Sequence, residues 1–432
     1  MKKIILLLLS ILNKAILIFL SIIFIGYYSI HFNFFGFKDK LYSTYPNLEL
    51  RRLVFYKKDV TKKMNNDYNV KFLPETQFIN LNFKKKKLNF LPQHENTYFK
   101  SFYIEVIKDM IWIIDVKGKF FEIKSNQYED IYSEKNLEAN AIDSNLDPKK
   151  VLGTLIHKEN IYISFYTETK DCKKLQVAFA KVNNNYLDFQ NFFTSKECGK
   201  HDIYGGKMQY FTHNNLKGLL LTAVDVPSHL VGNLNDNPQK DSSIFGKILF
   251  IDFDKKNHII FSRGHRNPSG LFAENDLVIA TEHGPWSGDE INKITFNKNY
   301  GWPISSYGEK FDPIKQNKEG ITSPVYLKNH DTNGFEEPIF SYVPAIGISE
   351  LLKLPNDFSN FWIDNFLISS LWGQSLHRVQ FDKGYNKVIF SEKIFVGERT
   401  RDIEYHKKMK AVLMSFEQSG ELGFLTNKGL KN

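Results

Sequence analysis

The residues best suited to chemistry crowd into one short stretch. Between Thr281 and Pro303 the chain reads TEHGPWSGDEINKITFNKNYGWP. His283, the acidic pair Asp289–Glu290 and two glycine-bearing turns sit close together there. Ordinary core strands have no use for that mixture. Carboxylates beside a Gly-Pro kink suggest exposed backbone carbonyls, and carbonyls with carboxylates are what a hard cation such as calcium takes. Calcium avoids nitrogen, so His283 reads as a loop residue hydrogen-bonded to backbone rather than as a ligand. An exposed acidic hairpin is the bland reading of the same residues.

A second group lies near the end. In ERTRD, Glu398–Asp402, two arginines are separated by one residue. Residues two apart on a strand share a face, so Arg399 and Arg401 could reach one ligand. Arginine presents paired donors that suit carboxylates, which lysine does not. The plain alternative is a surface ion pair with Asp402. The run Lys84–Lys87 reads as a solvated loop. No RNP-like, zinc-finger or helix-turn-helix pattern stands beside it, so nucleic acid is discarded as a partner.

These residues need a frame, and the sequence repeats one. An apolar strand, a polar turn and a second apolar strand recur from Met110, Ile161, Gly218, Leu277, Phe366 and Ala411. The third copy reaches its second strand through a long insertion. Six such copies indicate an all-β, six-bladed propeller, because a lone blade leaves both faces unburied and radial stacking covers them. A β-sandwich would explain the alternation but not the six copies. The two cysteines, Cys172 and Cys198, fall at the same end of one such sheet by strand counting. A disulfide and two free thiols both remain open, since a bridge needs a Cα separation that sequence does not fix.

The 432-residue chain is 42% apolar and 24% charged, which allows a large core and argues against global disorder. Its formal charge of +9 comes mostly from scattered lysines. Residues 1–37 are almost wholly apolar after Lys2 and Lys3, interrupted by Asn13 and Lys14. They read as an uncleaved signal anchor with its start in the cytoplasm, or as a cleaved signal peptide. Either way the remainder is exported, toward the periplasm or exterior. Residues 38–70 read as a basic stalk and 71–432 as the propeller.

Several blocks resemble the glucose/sorbosone dehydrogenase family, the quinoprotein sugar dehydrogenases. They are GKILFID (Gly246–Asp252), GHRNPSGL (Gly264–Leu271), TEHGPWSGDEINKI, NYGWPISSYG (Asn299–Gly308), SLWGQSLHRVQFD and ERTRD. The resemblance covers the chain loosely from about residue 100 and is most specific in the middle blocks. It implies a six-bladed propeller with pyrroloquinoline quinone (PQQ) over its mouth, a histidine base, and calcium. Arg266, Asn267, Arg399 and Arg401 stand where the family contacts the cofactor. Gly284 and Pro285 would offer carbonyls to the cofactor-side calcium, and Asp289, Glu290 and the Tyr300 backbone resemble a second calcium site.

Two positions depart from the family pattern. The catalytic histidine's place, two residues before the Gly205–Gly206 pair, holds Ile203. His201 lies on the same face but roughly 6–7 Å further along an extended chain, so it serves only if the loop bulges. In SLWGQS, Trp372 stands where lysine is frequent; it could stack on a quinone or a sugar but brings no charge. The resemblance implies calcium-assisted, PQQ-dependent oxidation of an aldose or related sugar, with electrons passed to a respiratory acceptor in the membrane. The rival is a catalytically degenerate, calcium-stabilised propeller that binds carbohydrate or a protein partner. Hydrolysis, a third option, lacks a recognisable nucleophile–base pair.

Overall fold

The computed structural model describes residues 79–92, 100–124, 136–170, 172–183, 185–199, 203–224, 237–254, 257–285, 287–308, 327 and 329–427, together with Ser21. The chain divides into two units. One, residues 1–67 with 312–321, lies outside the described residues apart from Ser21, and with it the expected signal anchor and most of the stalk. Among the described residues no helix is long and apolar enough to cross a membrane. The other unit, Tyr68–Phe311 with Thr322–Asn432, is the propeller.

Its described residues form six antiparallel sheets of four or five strands, two of them extended by a short parallel strand. The innermost strands are β2 (Phe102–Ile107), β6 (Lys150–His157), β11 (Gly205–His213), β15 (Pro268–Glu274), β20 (Ile348–Lys353) and β24 (Thr400–His406). Each touches the next, and β24 returns to β2, so the six inner strands close a ring. The six sequence copies are the middle strand pairs of these blades, for example β7 (Asn160–Thr169) with β8 (Cys172–Lys181), and β25 (Ala411–Phe416) with β26 (Glu421–Asn427).

The physical reason for the ring is visible in the core. One hydrophobic cluster fills each gap between neighbouring blades. Leu152, Tyr162 and Val177 of the second blade meet Met208, Leu219 and Leu221 of the third. Phe211, Leu220 and Ile248 of the third meet Leu271, Val278 and Ala280 of the fourth. Middle strands such as β25, AVLMSF, are buried on both faces because a blade is covered on both sides. Each fully buried large side chain, such as Trp112 or Trp362, contributes about 1.5–3 kcal/mol relative to exposure.

The last blade joins the two ends of the propeller sequence. Strand β1 (Leu81–Lys87) pairs with β26 from Leu81–Asn427 to Lys87–Glu421. The lysine run is therefore a strand, not a solvated loop. Lys85 pairs with Glu398 at 2.9 Å and Glu421 at 2.6 Å, and Lys86 is buried. The sequence pattern failed here because the acids that answer Lys85 lie at the far end of the chain.

Candidate active site

The inner strands surround an axial cavity of about 220 Å³. Every blade contributes to it: Tyr103, Lys150, Lys207, Asn267, Ser349 and Arg401, in blade order. Among these are three cations, whereas no carboxylate lines the cavity among the described residues. His283 also lines it. Burial first, then Arg266, Arg401 and Arg399 against the opposing pull of Asp289, push the His283 imidazole down to about 4. The ring is neutral at physiological pH.

Arg399 and Arg401 do share a face, but their acid is not Asp402. Both guanidinium groups converge on Glu417, which follows β25 and whose side chain is fully buried. Arg399 Nε donates to Oε1 at 2.7 Å and Arg401 Nε donates to Oε2 at 2.8 Å. Burial opposes ionisation of Glu417, yet Arg401 and Arg399 outweigh it and hold the carboxyl below its usual range. Sequence reading missed Glu417 because it follows the partner strand, 16 residues after Arg401, where β25 returns beside the arginines.

Asp402 is taken by Lys207. The Lys207 ammonium donates to Asp402 Oδ1 at 2.7 Å, touches Glu350 Oε2, and lies 5.4 Å from the centre of the Tyr103 ring. Burial opposes its charge, but the two acids raise its pKa. Asp402 Oδ2 also accepts the Ile104 N–H at 2.8 Å. Below this layer lie Glu105 and Glu404. Burial pushes Glu105 up to about 7, relieved in part by Thr154 and reinforced by Asp402. Burial and then Glu105 push Glu404 up to about 8.

Beside the mouth is a second cavity of about 10 Å³, room for about one water-sized occupant. Gly284, Glu290, Tyr300, Glu282 and His330 line it. Glu290 is pushed well above its usual range by burial and by the neighbouring Glu282. The Asn292 amide bridges them, donating to Glu290 at 3.1 Å and Glu282 at 3.4 Å. The Asn292 carbonyl oxygen and both His330 ring nitrogens are buried without a hydrogen-bond partner.

Asp289 does not join this set. Its Oδ1 accepts from Gly284 N–H at 3.0 Å, and its Oδ2 accepts from Ile346 and Ile348 N–H, each at 2.9 Å. It ties two loops together, a task the adjacent acidic pair did not betray. The Tyr300 side chain is likewise structural, donating to the Lys293 carbonyl at 2.6 Å, which leaves only its backbone for a metal. Arg266 turns away from the axial cavity. It donates to the His283 carbonyl at 2.9 Å and lies over Trp302. Among the described residues, no three His, Cys, Asp or Glu side chains group as a metal site.

A hydrogen-bonded relay holds the Arg266–Asn267 turn. Ser262 Oγ meets His265 Nε2 at 2.8 Å, and His265 Nδ1 meets Glu282 Oε2 at 3.0 Å. Glu282 Oε1 then accepts the backbone N–H of Arg266 and, at 3.3 Å, of Asn267. The order serine–histidine–carboxylate is that of a hydrolase triad. Ser262 and His265 are fully enclosed, however, so no substrate reaches the hydroxyl. The relay positions backbone instead.

The Gly205–Gly206 pair is forced by geometry. Both residues have φ near +80°, and a Cβ at either would fall 2.6 Å from Val224 Cγ2 or Ser164 Oγ respectively. Ile203, at the family's base position, is only 2% exposed and packs in the cluster between the second and third blades. His201 lies outside the described residues. The chain leading to this block is fastened by a disulfide: Cys172 and Cys198 are bridged, with Cα atoms 5.0 Å apart. Trp372 stands on the surface, 65% exposed, next to Leu371, which lines the cavity.

Residues 151–423 match the glucose/sorbosone dehydrogenase family. The chain belongs to that family. Relatives include an uncharacterised protein of Synechocystis sp., 25% identical over 282 residues, covering 61% of this chain and 66% of that protein. The aldose sugar dehydrogenase YliI of Escherichia coli is 28% identical over 167 residues, 38% of this chain and 42% of that one. Quinoprotein glucose dehydrogenase B of Acinetobacter calcoaceticus is 42% identical over 72 residues, 16% and 13% of the two chains. The match thus spans less than two thirds of each relative's length. Among solved structures, the soluble aldose sugar dehydrogenase of E. coli superposes with a TM-score of 0.63 at 18% identity, over 81% of this chain and 100% of that one. The PQQ-bound aldose sugar dehydrogenase of Streptomyces coelicolor gives 0.54 at 14% identity, over 80% and 99%. Identities this low establish the fold alone.

The donor sets can be weighed against the groups this family suggests. A planar polyanion suits the axial cavity: Arg401 and Asn267 line it, and Arg399 is held beside Arg401 by a buried carboxylate. The small cavity brings the Glu282 and Glu290 carboxyls together, oxygen donors of the kind a hard cation takes. The His330 nitrogens are poor calcium donors, and Asp289 is committed elsewhere.

Proposed function

We propose that this member is a PQQ-dependent dehydrogenase that oxidises an aldose or related sugar with the help of calcium, outside the cytoplasm. The observation that carries this reading is the arginine pair locked beside the axial cavity by Glu417. When bound, PQQ supplies a two-electron, hydride-accepting centre. Arg399, Arg401 and Asn267 would hold its carboxylates by charge-assisted hydrogen bonds. Gly284 and Pro285 would offer carbonyls to one calcium, and Glu290 with the Tyr300 carbonyl would hold another. His201 is the candidate that takes the hydroxyl proton, from a segment tethered by the Cys172–Cys198 bridge. Trp372 would offer a flat apolar face at the rim. Residues 1–37 would anchor the protein near a respiratory electron acceptor, and secretion after cleavage fits the apolar segment as well.

One observation favours a second reading. Ile203 occupies the base position and is buried in the core. A propeller that kept calcium and the cavity but lost the chemistry would bind a carbohydrate or a protein partner.

The two readings separate in one experiment. Full-length protein in detergent, freed of metal, is titrated with PQQ by calorimetry with and without calcium, then given aldoses and a reducible dye. Calcium-dependent binding with dye reduction, lost in His201→Ala, supports the dehydrogenase. No quinone binding, with calcium still raising the thermal midpoint, leaves the binding propeller.

A further inference from the structure

We infer that Glu417 is a positioning residue: it converts Arg399 and Arg401 from two flexible cations into one preset clamp for a planar, carboxylate-bearing ligand. The inference rests on the reading above and adds a residue to it.

Three observations carry it. First, the carboxylate is divided between the two arginines, one oxygen to each, and each oxygen takes both the Nε and a terminal nitrogen of its arginine. The distances are 2.7 and 2.7 Å for Arg399, and 2.8 and 2.6 Å for Arg401. That fixes the plane and rotation of each guanidinium. Second, the clamp is anchored at its root. Glu417 N–H donates to the Arg399 carbonyl at 3.0 Å, the Glu417 carbonyl accepts from Lys100 N–H at 2.6 Å, and Ser101 Oγ donates to Glu417 Oε2 at 3.3 Å. The organiser thus ties blade six to the segment that leads into blade one. Third, the burial is graded. Glu417 is sealed at 0%, whereas the arginine side chains keep 21% and 31% exposure. The acid is hidden from any ligand and the cations are not.

A buried acid beneath two cations has two opposed effects on anion binding. It removes one unit of positive charge, which weakens attraction. It also fixes two long side chains before the ligand arrives, which removes an ordering cost. The inference is that ordering wins, so Glu417→Gln weakens binding although it makes the site more positive.

The test uses full-length protein in detergent. Calorimetry follows PQQ and, separately, benzene-1,3,5-tricarboxylate, a planar tricarboxylate that cannot accept hydride. NMR follows the arginine Nε–H signals. In the wild type slowly exchanging Nε–H signals are expected from Arg399 and Arg401, apart from the one that Arg378 gives on Glu392. In Glu417→Gln they are lost, and the affinity for the tricarboxylates falls at least tenfold. Glu417→Asp keeps the charge one methylene shorter and should fall between, which covers the case of a glutamine variant that does not fold. Equal or tighter binding by either variant, or unchanged Nε–H signals, overturns the inference. If the wild type takes the benzene tricarboxylate but not PQQ, the quinone reading falls and the clamp stands. If it takes neither, the clamp falls too.

Discussion

Lys207 of the third blade reaches across the propeller axis to Asp402 of the sixth, at 2.7 Å. The same ammonium touches Glu350 of the fifth. It is a strut between blades that are not neighbours in the ring. Lys207→Met should therefore destabilise the whole ring, because it leaves two buried acids without their cation. Breaking a buried pair from one side costs about 3–5 kcal/mol. Chemical denaturation at pH 7 measures this, and a loss below 1 kcal/mol would refute the strut.

The acids beneath the strut set a pH dependence. Burial places Glu105 near 7, and burial with repulsion from Glu105 places Glu404 near 8, against 4.5 for an ordinary glutamate. Between these values the folded protein holds protons that the unfolded chain has released, so stability falls as pH rises. The contribution is complete below about pH 4.5 and is lost through pH 7–8, on the order of a few kcal/mol. Glu105→Gln with Glu404→Gln should flatten the stability profile over that window. A profile as steep as that of the wild type would place the titration elsewhere.

The disulfide closes a loop between Cys172 and Cys198, 26 residues apart. Chain-entropy reasoning gives roughly 3–4 kcal/mol for a loop of that size. Cys172→Ser with Cys198→Ser should lower the unfolding midpoint accordingly. Hydrogen exchange should also rise first at Lys173 and Gly199, whose backbones exchange hydrogen bonds of 3.1 and 2.8 Å beside the bridge.

Replacing Ile203 by histidine looks like a simple repair of the family's base. The core position argues otherwise. Ile203 packs among Leu152, Met208 and Leu219, so an imidazole there would be buried among apolar side chains. Ile203→His should cost about 1–3 kcal/mol and bring no dye reduction beyond that of the wild type. A gain in PQQ-dependent activity would show that the block can turn its side chain to the mouth.

The architecture was legible because each blade writes its two middle strands as apolar runs joined by a polar turn. Inner and outer strands are shorter in pattern and more polar, as in Val388–Phe395, VIFSEKIF, so they escaped notice. Two residues singled out in the sequence, Asn267 and Arg401, do line the axial cavity. Sequence reading failed where partners come from another strand or another blade. Nothing near Arg401 in sequence announces Glu417, and nothing near Lys207 announces Glu350. Asp289 and Glu290 look alike in sequence yet diverge completely, since successive strand residues face opposite ways. One is consumed by backbone N–H groups and the other faces the small cavity.

The pairing of β1 with β26 has a consequence for how the molecule is made. Blade six cannot be completed until β1, at the start of the propeller sequence, meets β26, at its end, so the last blade closes only through a contact distant in sequence. Until then β26 presents an open edge with Leu422, Phe424 and Leu425 beside it. An open edge accepts any matching strand, including β1 of another copy. Concentration during refolding thus decides between closed rings and chains exchanged from one molecule to the next.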